Sequence, residues 1–215
     1  MTTGLILVGG GLANSLIAFR LLTERPEFPL LVVERGSSLG ADHTWSFHDS
    51  DLSAAQRRWI APLVAHRWTS HELRFPKRKR TIQDGYNSVT SDRLHEVVAP
   101  VLGDRLRLDT EVAEVTPHGI VLEGGERIAA HAVIDGRGDP GGAHLDVAYQ
   151  KFLGLFIHLA EPHGLTGPIL MDATVEQNDG YRFVYTPPFS GTEVLVEDTY
   201  YADEPVLDRA GLRTG

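Results

Sequence analysis

The sequence predicts an α/β fold in which a βαβ unit is followed by a smaller, mostly antiparallel β-sheet region. Three observations point there. Residues 5–8 and 30–33 are short, unbroken apolar runs with the character of buried parallel strands. Between them a glycine turn, Gly9-Gly10-Gly11, opens a segment in which Leu12, Leu16, Phe19 and Leu22 recur at helical spacing. Beyond residue 151 the chain becomes acidic and breaks into short apolar stretches separated by Gly, Pro and acidic residues.

The elements follow in order. Pro26 and Pro29 stop the first helix, and Glu34 closes the second strand. Residues 36–50 read as a loop carrying His, Trp and Phe. Residues 52–65 read as a helix interrupted late by Pro62, and residues 72–82 as one or two edge strands with a basic surface. Ser91 is the expected N-cap of a helix whose Leu94, Val97, Val98 and Val101 share one face. Residues 106–115 alternate as a strand; residues 119–122 and 127–134, joined through Gly124-Gly125, read as a hairpin. Further strands are expected at 152–159, 169–175, 181–185 and 194–197, and the start of a helix from residue 206.

Composition bounds the function. The 215-residue chain is 42% hydrophobic and 23% charged, which excludes wholesale disorder. It has no cysteine, so disulfide scaffolds, thiolate metal sites and cysteine nucleophiles are excluded. No apolar run approaches the length of a membrane-spanning helix. The first residues lack the basic and small-residue features of a signal peptide. A formal charge of −9 argues against general nucleic-acid binding. That charge is uneven: residues 1–151 hold 17 Lys+Arg and 19 Asp+Glu, whereas residues 152–215 hold 3 and 10.

Gly9, Gly11 and Asn14 occupy the three key places of a G-x-G-x-x-G dinucleotide fingerprint. The first glycine turns the chain, the second admits a pyrophosphate to the backbone, and the helix behind offers its positive N-terminus. The third place normally brings helix and strand close; Asn14 there either loosens that packing or adds a polar contact. Glu34 ends the next strand 20 residues after Asn14, where a carboxylate accepts hydrogen bonds from ribose hydroxyls. The later strand ending in Asp135-Gly136-Arg137-Gly138 favours a flavin over a nicotinamide. FAD proteins of the glutathione-reductase and hydroxylase type return to the sheet with such an acidic, Gly-rich turn, and Asp135 resembles the residue near the flavin there.

Six strings then occur in order: His43-Thr44-Trp45-Ser46-Phe47-His48, Trp59-Ile60-Ala61-Pro62-Leu63-Val64, Asp135-Gly136-Arg137-Gly138, Met171-Asp172-Ala173-Thr174-Val175, Gly180-Tyr181-Arg182-Phe183-Val184-Tyr185 and Glu197-Asp198-Thr199. Through them the sequence resembles the bacterial lycopene β-cyclases, over residues 5 to about 207. The resemblance implies an FAD-binding Rossmann-like domain at 1–150, with 66–90 as an excursion. Residues 151–215 would begin a mostly antiparallel substrate-binding sheet domain that continues further in the family, so the chain is expected to be incomplete. It implies a flavoprotein isomerase that needs reduced FAD, with NADPH as electron source. Such an enzyme converts lycopene through γ-carotene to β-carotene with no net redox change, and other linear carotenoids are related substrates. It also implies a cytoplasmic enzyme, peripherally associated with the inner membrane from which it draws a water-insoluble substrate. The sequence leaves the oligomeric state open.

Protonating an alkene calls for a carboxylic acid kept neutral in a dry pocket, and the cation formed calls for electron-rich surroundings. Glu197, in the family's Glu-Asp-Thr motif, is the candidate acid. Asp198 adds a carboxylate that strand geometry turns to the opposite face. Asp172 is a third candidate, as pocket support or proton relay, and equally fits an internal turn carboxylate. Tyr181, Phe183 and Tyr185 share one face by period 2 and suit a pocket wall or an ordinary half-buried strand. His43 and His48 flank an aromatic loop expected near the cofactor, with His43 the candidate contact; Trp45 and Phe47 fit core positions. No histidine sits in a metal-binding spacing, so no metal is expected. Lys77-Arg78-Lys79-Arg80 fits a solvated strand face or attraction to anionic headgroups. An FAD-dependent monooxygenase of the same fold and an inactive flavin-binding fragment also fit these features.

Overall fold

The computed structural model describes residues 3–138, 147–177, 180–203 and 206; the helix expected from residue 206 lies outside the described residues. Along the chain run β1 (Thr3–Val8), α1 (Leu12–Glu24), β2 (Leu30–Val33), β3 (Thr44–His48), α2 (Ala54–Ile60), β4 (His66–Trp68), β5 (His71–Phe75), β6 (Arg78–Ile82), β7 (Tyr86–Thr90) and α3 (Ser91–Leu102). Then come β8 (Leu106–Arg107), β9 (Val112–Thr116), β10 (Gly119–Leu122), β11 (Arg127–Asp135), β12 (Tyr149–His158), β13 (Ile169–Asp172), β14 (Tyr181–Thr186) and β15 (Glu193–Ala202). The strands form two six-stranded sheets, β8-β2-β1-β11-β10-β9 and β12-β15-β14-β13-β5-β6, and a three-stranded sheet, β3-β7-β4. The chain divides into two compact units. One comprises residues 1–46, 52–65 and 88–141; the other comprises 47–51, 66–87 and 142–215.

In the first unit β1 runs parallel to both β2 and β11. Both faces of β1 and β2 are covered at residues 6–8 and 30–33, which is why these sequences are unbroken apolar runs and do not alternate, whereas most of β11 is exposed. Ile6, Val8, Leu31 and Val33 pack with Val112, Ile120, Leu122 and Ala130 on one side. Leu7 and Val32 point the other way and are equally buried, as are Ala18 and Leu22 of α1 and Leu94, Val98 and Leu102 of α3. Burying each Val or Leu contributes about 1.5–3 kcal/mol.

In the second unit the sheet is antiparallel except where β13 meets β5. Its longest pairing joins β12 and β15 in register from Tyr149 opposite Ala202 to His158 opposite Glu193.

Several local expectations are corrected. The loop at 36–50 contains β3. The helix expected over 52–65 is only α2 followed by one tight turn, Ala61–Leu63, entered through Pro62. Thr90, not Ser91, caps α3, its hydroxyl accepting from Arg93 N–H at 3.2 Å. The strand at 106–115 is split into β8 and β9 because Asp109 adopts φ +49°, which no strand accommodates. The strand expected over 194–197 runs on to Ala202, whereas the one over 169–175 ends at Asp172, whose carboxylate accepts from Thr174 N–H and hydroxyl and turns the chain.

Candidate functional site

Two arrangements carry chemistry, one in each unit. In the first, a cleft of about 420 Å³ opens at the carboxyl ends of β1 and β2, where open α/β sheets bind ligands. Gly9, Gly11, Glu34, His43, Gly136 and Gly138 line it.

Gly9 turns the chain at φ +92°, and the space a Cβ would take there lies 3.2 Å from the Gly136 carbonyl. Gly11 is the N-cap of α1 and places no side chain over the helix's first N–H groups. A Cβ at Gly11 would meet nothing within 4 Å, so the gap belongs to the cleft. Glu34 is held by two backbone donors, Gly10 N–H at 2.5 Å and Gly36 N–H at 2.7 Å. Each oxygen keeps a lone pair for a hydroxyl in the cleft.

Asn14 lies beneath the turn and outside the cleft lining. It is 2% exposed, and its Nδ2 donates to the carbonyls of Val8 at 2.9 Å and Gly9 at 2.8 Å. The departure from glycine therefore adds two polar contacts that clip the helix to the end of β1. The same side chain dictates Gly136, since a Cβ there would stand 2.4 Å from Asn14 Nδ2. Asp135 is also outside the lining. Its carboxylate accepts from Arg137 Nε at 2.9 Å and Nη2 at 2.8 Å, and these bonds hold its pKa below the usual value. Arg137 itself lines the cleft and anchors to the Val112 carbonyl at 2.9 Å.

The His43 ring stacks on Trp45, centroids 5.6 Å apart, and both line the cleft. Ser91 sets this loop: its hydroxyl accepts from His43 N–H at 2.8 Å and lies 2.7 Å from the His43 carbonyl. Sequence reasoning missed Arg35, Thr110 and Glu111 in the lining. They come from loops with no periodic pattern; Arg35 was findable as the neighbour of Glu34.

The second arrangement is one face of the large sheet. Across the ladder Glu197 pairs with Tyr185 on β14 and Gly154 on β12; Thr199 pairs with Phe183 and Phe152, and Tyr201 with Tyr181. Residues directly opposite share a face. Glu197 therefore lies on the face that carries Phe152, Phe156, Tyr181, Phe183, Tyr185 and Tyr201. Gly154 leaves room beside it, the place of its Cβ being 3.8 Å from Glu197 Oε2. Half-buried on this face, Glu197 has its pKa pushed up by burial, against a smaller opposing effect of the Thr199 hydroxyl, which donates to Oε1 at 3.1 Å.

Asp198 and Asp172 lie on the opposite face. Asp198 is gripped by Arg182 through Nε at 2.9 Å and Nη2 at 2.8 Å, with both side chains largely buried. Asp172 sits opposite Val184, itself opposite Asp198, and meets Arg74 at 3.5 Å. The sheet separates these two carboxylates from Glu197, so neither relays a proton to it directly. Their salt bridges give them structural partners.

Residues 4–214 match the family model described as lycopene cyclase protein. The chain belongs to the lycopene cyclase family. It is 51% identical over 209 residues to a lycopene beta-cyclase of Pseudescherichia vulneris, a match covering 97% of this chain and 54% of that protein. It is 50% identical to one from Pantoea ananas, over 95% of this chain and 53% of that protein. A Paracoccus lycopene beta-cyclase is 43% identical over 97% and 54%. The chain spans about half the length of the curated relatives it matches. Among solved structures, p-nitrophenol 4-monooxygenase from Pseudomonas putida superposes with a TM-score of 0.68 at 14% identity, over 99% of this chain and 60% of that one. A 2-methyl-3-hydroxypyridine-5-carboxylic acid oxygenase gives 0.63 at 16%, over 95% and 60%. A probable FAD-dependent monooxygenase from Pseudomonas aeruginosa gives 0.64 at 13%, over 93% and 61%. The chain thus shares the fold of these monooxygenases, with a Rossmann-like βαβ unit and a mostly antiparallel sheet.

Proposed function

We propose that this chain carries the cofactor cleft and the proton-donating sheet of a lycopene β-cyclase, converting lycopene through γ-carotene to β-carotene. The observation that carries the reading is Glu197, a carboxyl biased toward its neutral form and set on a face of aromatic rings. Glu197 donates its proton to the terminal C1–C2 double bond, leaving a cation at C1. The C5–C6 double bond attacks that cation and closes the ring, moving the charge to C5; the Glu197 carboxylate takes the C6 proton, giving the β-end group, and exchanges it with solvent between turnovers. Atoms balance, and the product is an isomer of the substrate. The ring faces of Phe183, Tyr185 and their neighbours stabilise the cation and exclude water that would trap it.

The cleft fits the ribose and pyrophosphate of FAD. Gly11 leaves its gap open, the first turn of α1 offers N–H groups and positive dipole to phosphate, Glu34 takes ribose hydroxyls, and Arg137 adds positive charge. Reduced FAD, with NADPH as its electron source, would supply negative charge to the cationic stage. Because the substrate is insoluble in water, the enzyme works in the cytoplasm at the surface of the inner membrane.

The test is pigment formation in a lycopene-accumulating bacterium, scored by chromatography. γ- or β-Carotene is expected from this chain, or from this chain joined to the remaining length of the Pantoea relative. Lycopene alone in both strains refutes the proposal. A monooxygenase of this fold would consume oxygen stoichiometrically, whereas cyclisation proceeds without it.

A further inference from the structure

The β5–β6 hairpin holds a charge pattern that neither the cleft nor the aromatic sheet face uses. Its strands are joined by the two residues Pro76 and Lys77, and Phe75 pairs directly with Arg78. Period 2 sorts the side chains between two faces. Arg74 and Lys79 lie on one, with Glu72 between them. Lys79 meets Glu72 at 3.0 Å, and Arg74 meets Glu72 at 2.8 Å and Asp172 at 3.5 Å. Phe75, Arg78 and Arg80 lie on the other face, and Lys77 stands at the tip. Every residue from Phe75 to Arg80 is exposed, Phe75 at 38%. Among the described residues Lys77, Arg78 and Arg80 form no ion pair.

Three uncompensated cations around an exposed aromatic ring are unusual in a chain of net charge −9. An exposed tip of cations and one apolar ring matches a bilayer surface: the cations meet anionic headgroups while the ring enters the interface. A nucleic acid is the poorer match. Three phosphate contacts alone give weak binding to a duplex, which offers the exposed Phe75 ring no apolar phase to enter. We propose that the tip of the β5–β6 hairpin, through Lys77, Arg78, Arg80 and Phe75, docks this protein on anionic phospholipid headgroups. The proposal deepens the membrane-surface reading above and rests on it, and the observations that carry it are those of this hairpin.

The test is co-sedimentation of the purified chain with vesicles of phosphatidylglycerol and phosphatidylcholine, against vesicles of phosphatidylcholine only. Binding to the anionic vesicles is expected, and it falls at high salt. Each cation strengthens such binding about fivefold, so the triple variant Lys77→Gln/Arg78→Gln/Arg80→Gln should bind on the order of a hundredfold more weakly. Phe75→Ser should weaken binding in a way that salt does not reproduce. A control triple, Arg25→Gln/Arg58→Gln/Arg127→Gln, makes the same change in net charge at exposed positions and should bind like the parent. Circular dichroism confirms that each variant is folded. No binding by the parent, equal losses in the two triples, or tighter binding to duplex DNA than to the vesicles would each overturn the proposal. The assay contains no carotenoid, and ring formation from detergent-dispersed lycopene tests the cyclase reading separately, so the two can fail independently.

Discussion

The contact between Asn14 and Gly136 makes a quantitative prediction. Asn14→Ala removes two hydrogen bonds, one buried and one part-buried. The Val8 carbonyl keeps the Gly136 N–H at 2.8 Å, so only the Gly9 carbonyl loses its donor outright. The expected cost is about 1–2 kcal/mol. Gly136→Ala meets no backbone objection, since the φ of Gly136 is not positive. Its Cβ, however, lands 2.4 Å from Asn14 Nδ2 and 2.8 Å from Cγ. Asn14 is buried and doubly bonded, so it cannot swing aside cheaply, and overpacking of this kind costs about 1–3 kcal/mol. In the double variant the colliding atoms are gone. The second substitution should then cost little, and the two effects should fall short of additivity by most of that clash, about 1–3 kcal/mol. Urea unfolding followed by tryptophan fluorescence measures all four proteins. Additive losses would refute the claim that Asn14 is what forbids a side chain at position 136.

Other predictions follow from the same geometry. Gly11→Val fills the open gap at the cap of α1, so the purified, folded protein should carry less flavin; equal flavin content counts against the cleft. Burial raises the Glu197 pKa, so the fold favours its protonated form. That contribution is whole below the ordinary value of 4.5 and is lost as pH rises through the raised value. Glu197→Gln should therefore gain melting temperature relative to the parent as pH climbs past 4.5, and parallel curves would contradict the shift. Asp198→Ala strands the largely buried guanidinium of Arg182 and should destabilise by about 3 kcal/mol in urea unfolding, whereas a loss of a few tenths would mean that solvent compensates.

The parallel core was legible because β1 and β2 are buried on both faces and their sequences say so without interruption. β7 was not, because Tyr86-Asn87-Ser88-Val89-Thr90 looks polar. Asn87 and Ser88 are nonetheless fully buried, satisfied by Arg67, Asp49 and Ser46. A polar residue with a dedicated partner far along the chain leaves no local trace. Ser91 shows the same limit: its position suggests a cap, but its hydroxyl is spent on the loop at His43.

At the candidate sites, the glycines and Glu34 were readable because the turn imposes their spacing. The role of Asn14 was not, since its acceptors depend on how the helix seats on the strand. The alternation of Tyr181, Phe183 and Tyr185 was visible from period 2. That Phe152 and Phe156 join them depends on the register of β12 against β15, which no single strand encodes.

The proposed cyclisation requires a proton delivered from Glu197. The most direct measurement is cyclisation of lycopene in D₂O by the form that makes rings in cells, followed by mass spectrometry of the product. Each ring should carry one solvent deuterium, and Glu197→Gln should leave lycopene unchanged with its flavin retained. Rings formed without deuterium, or formed at the parent's rate by the Gln variant, would contradict it.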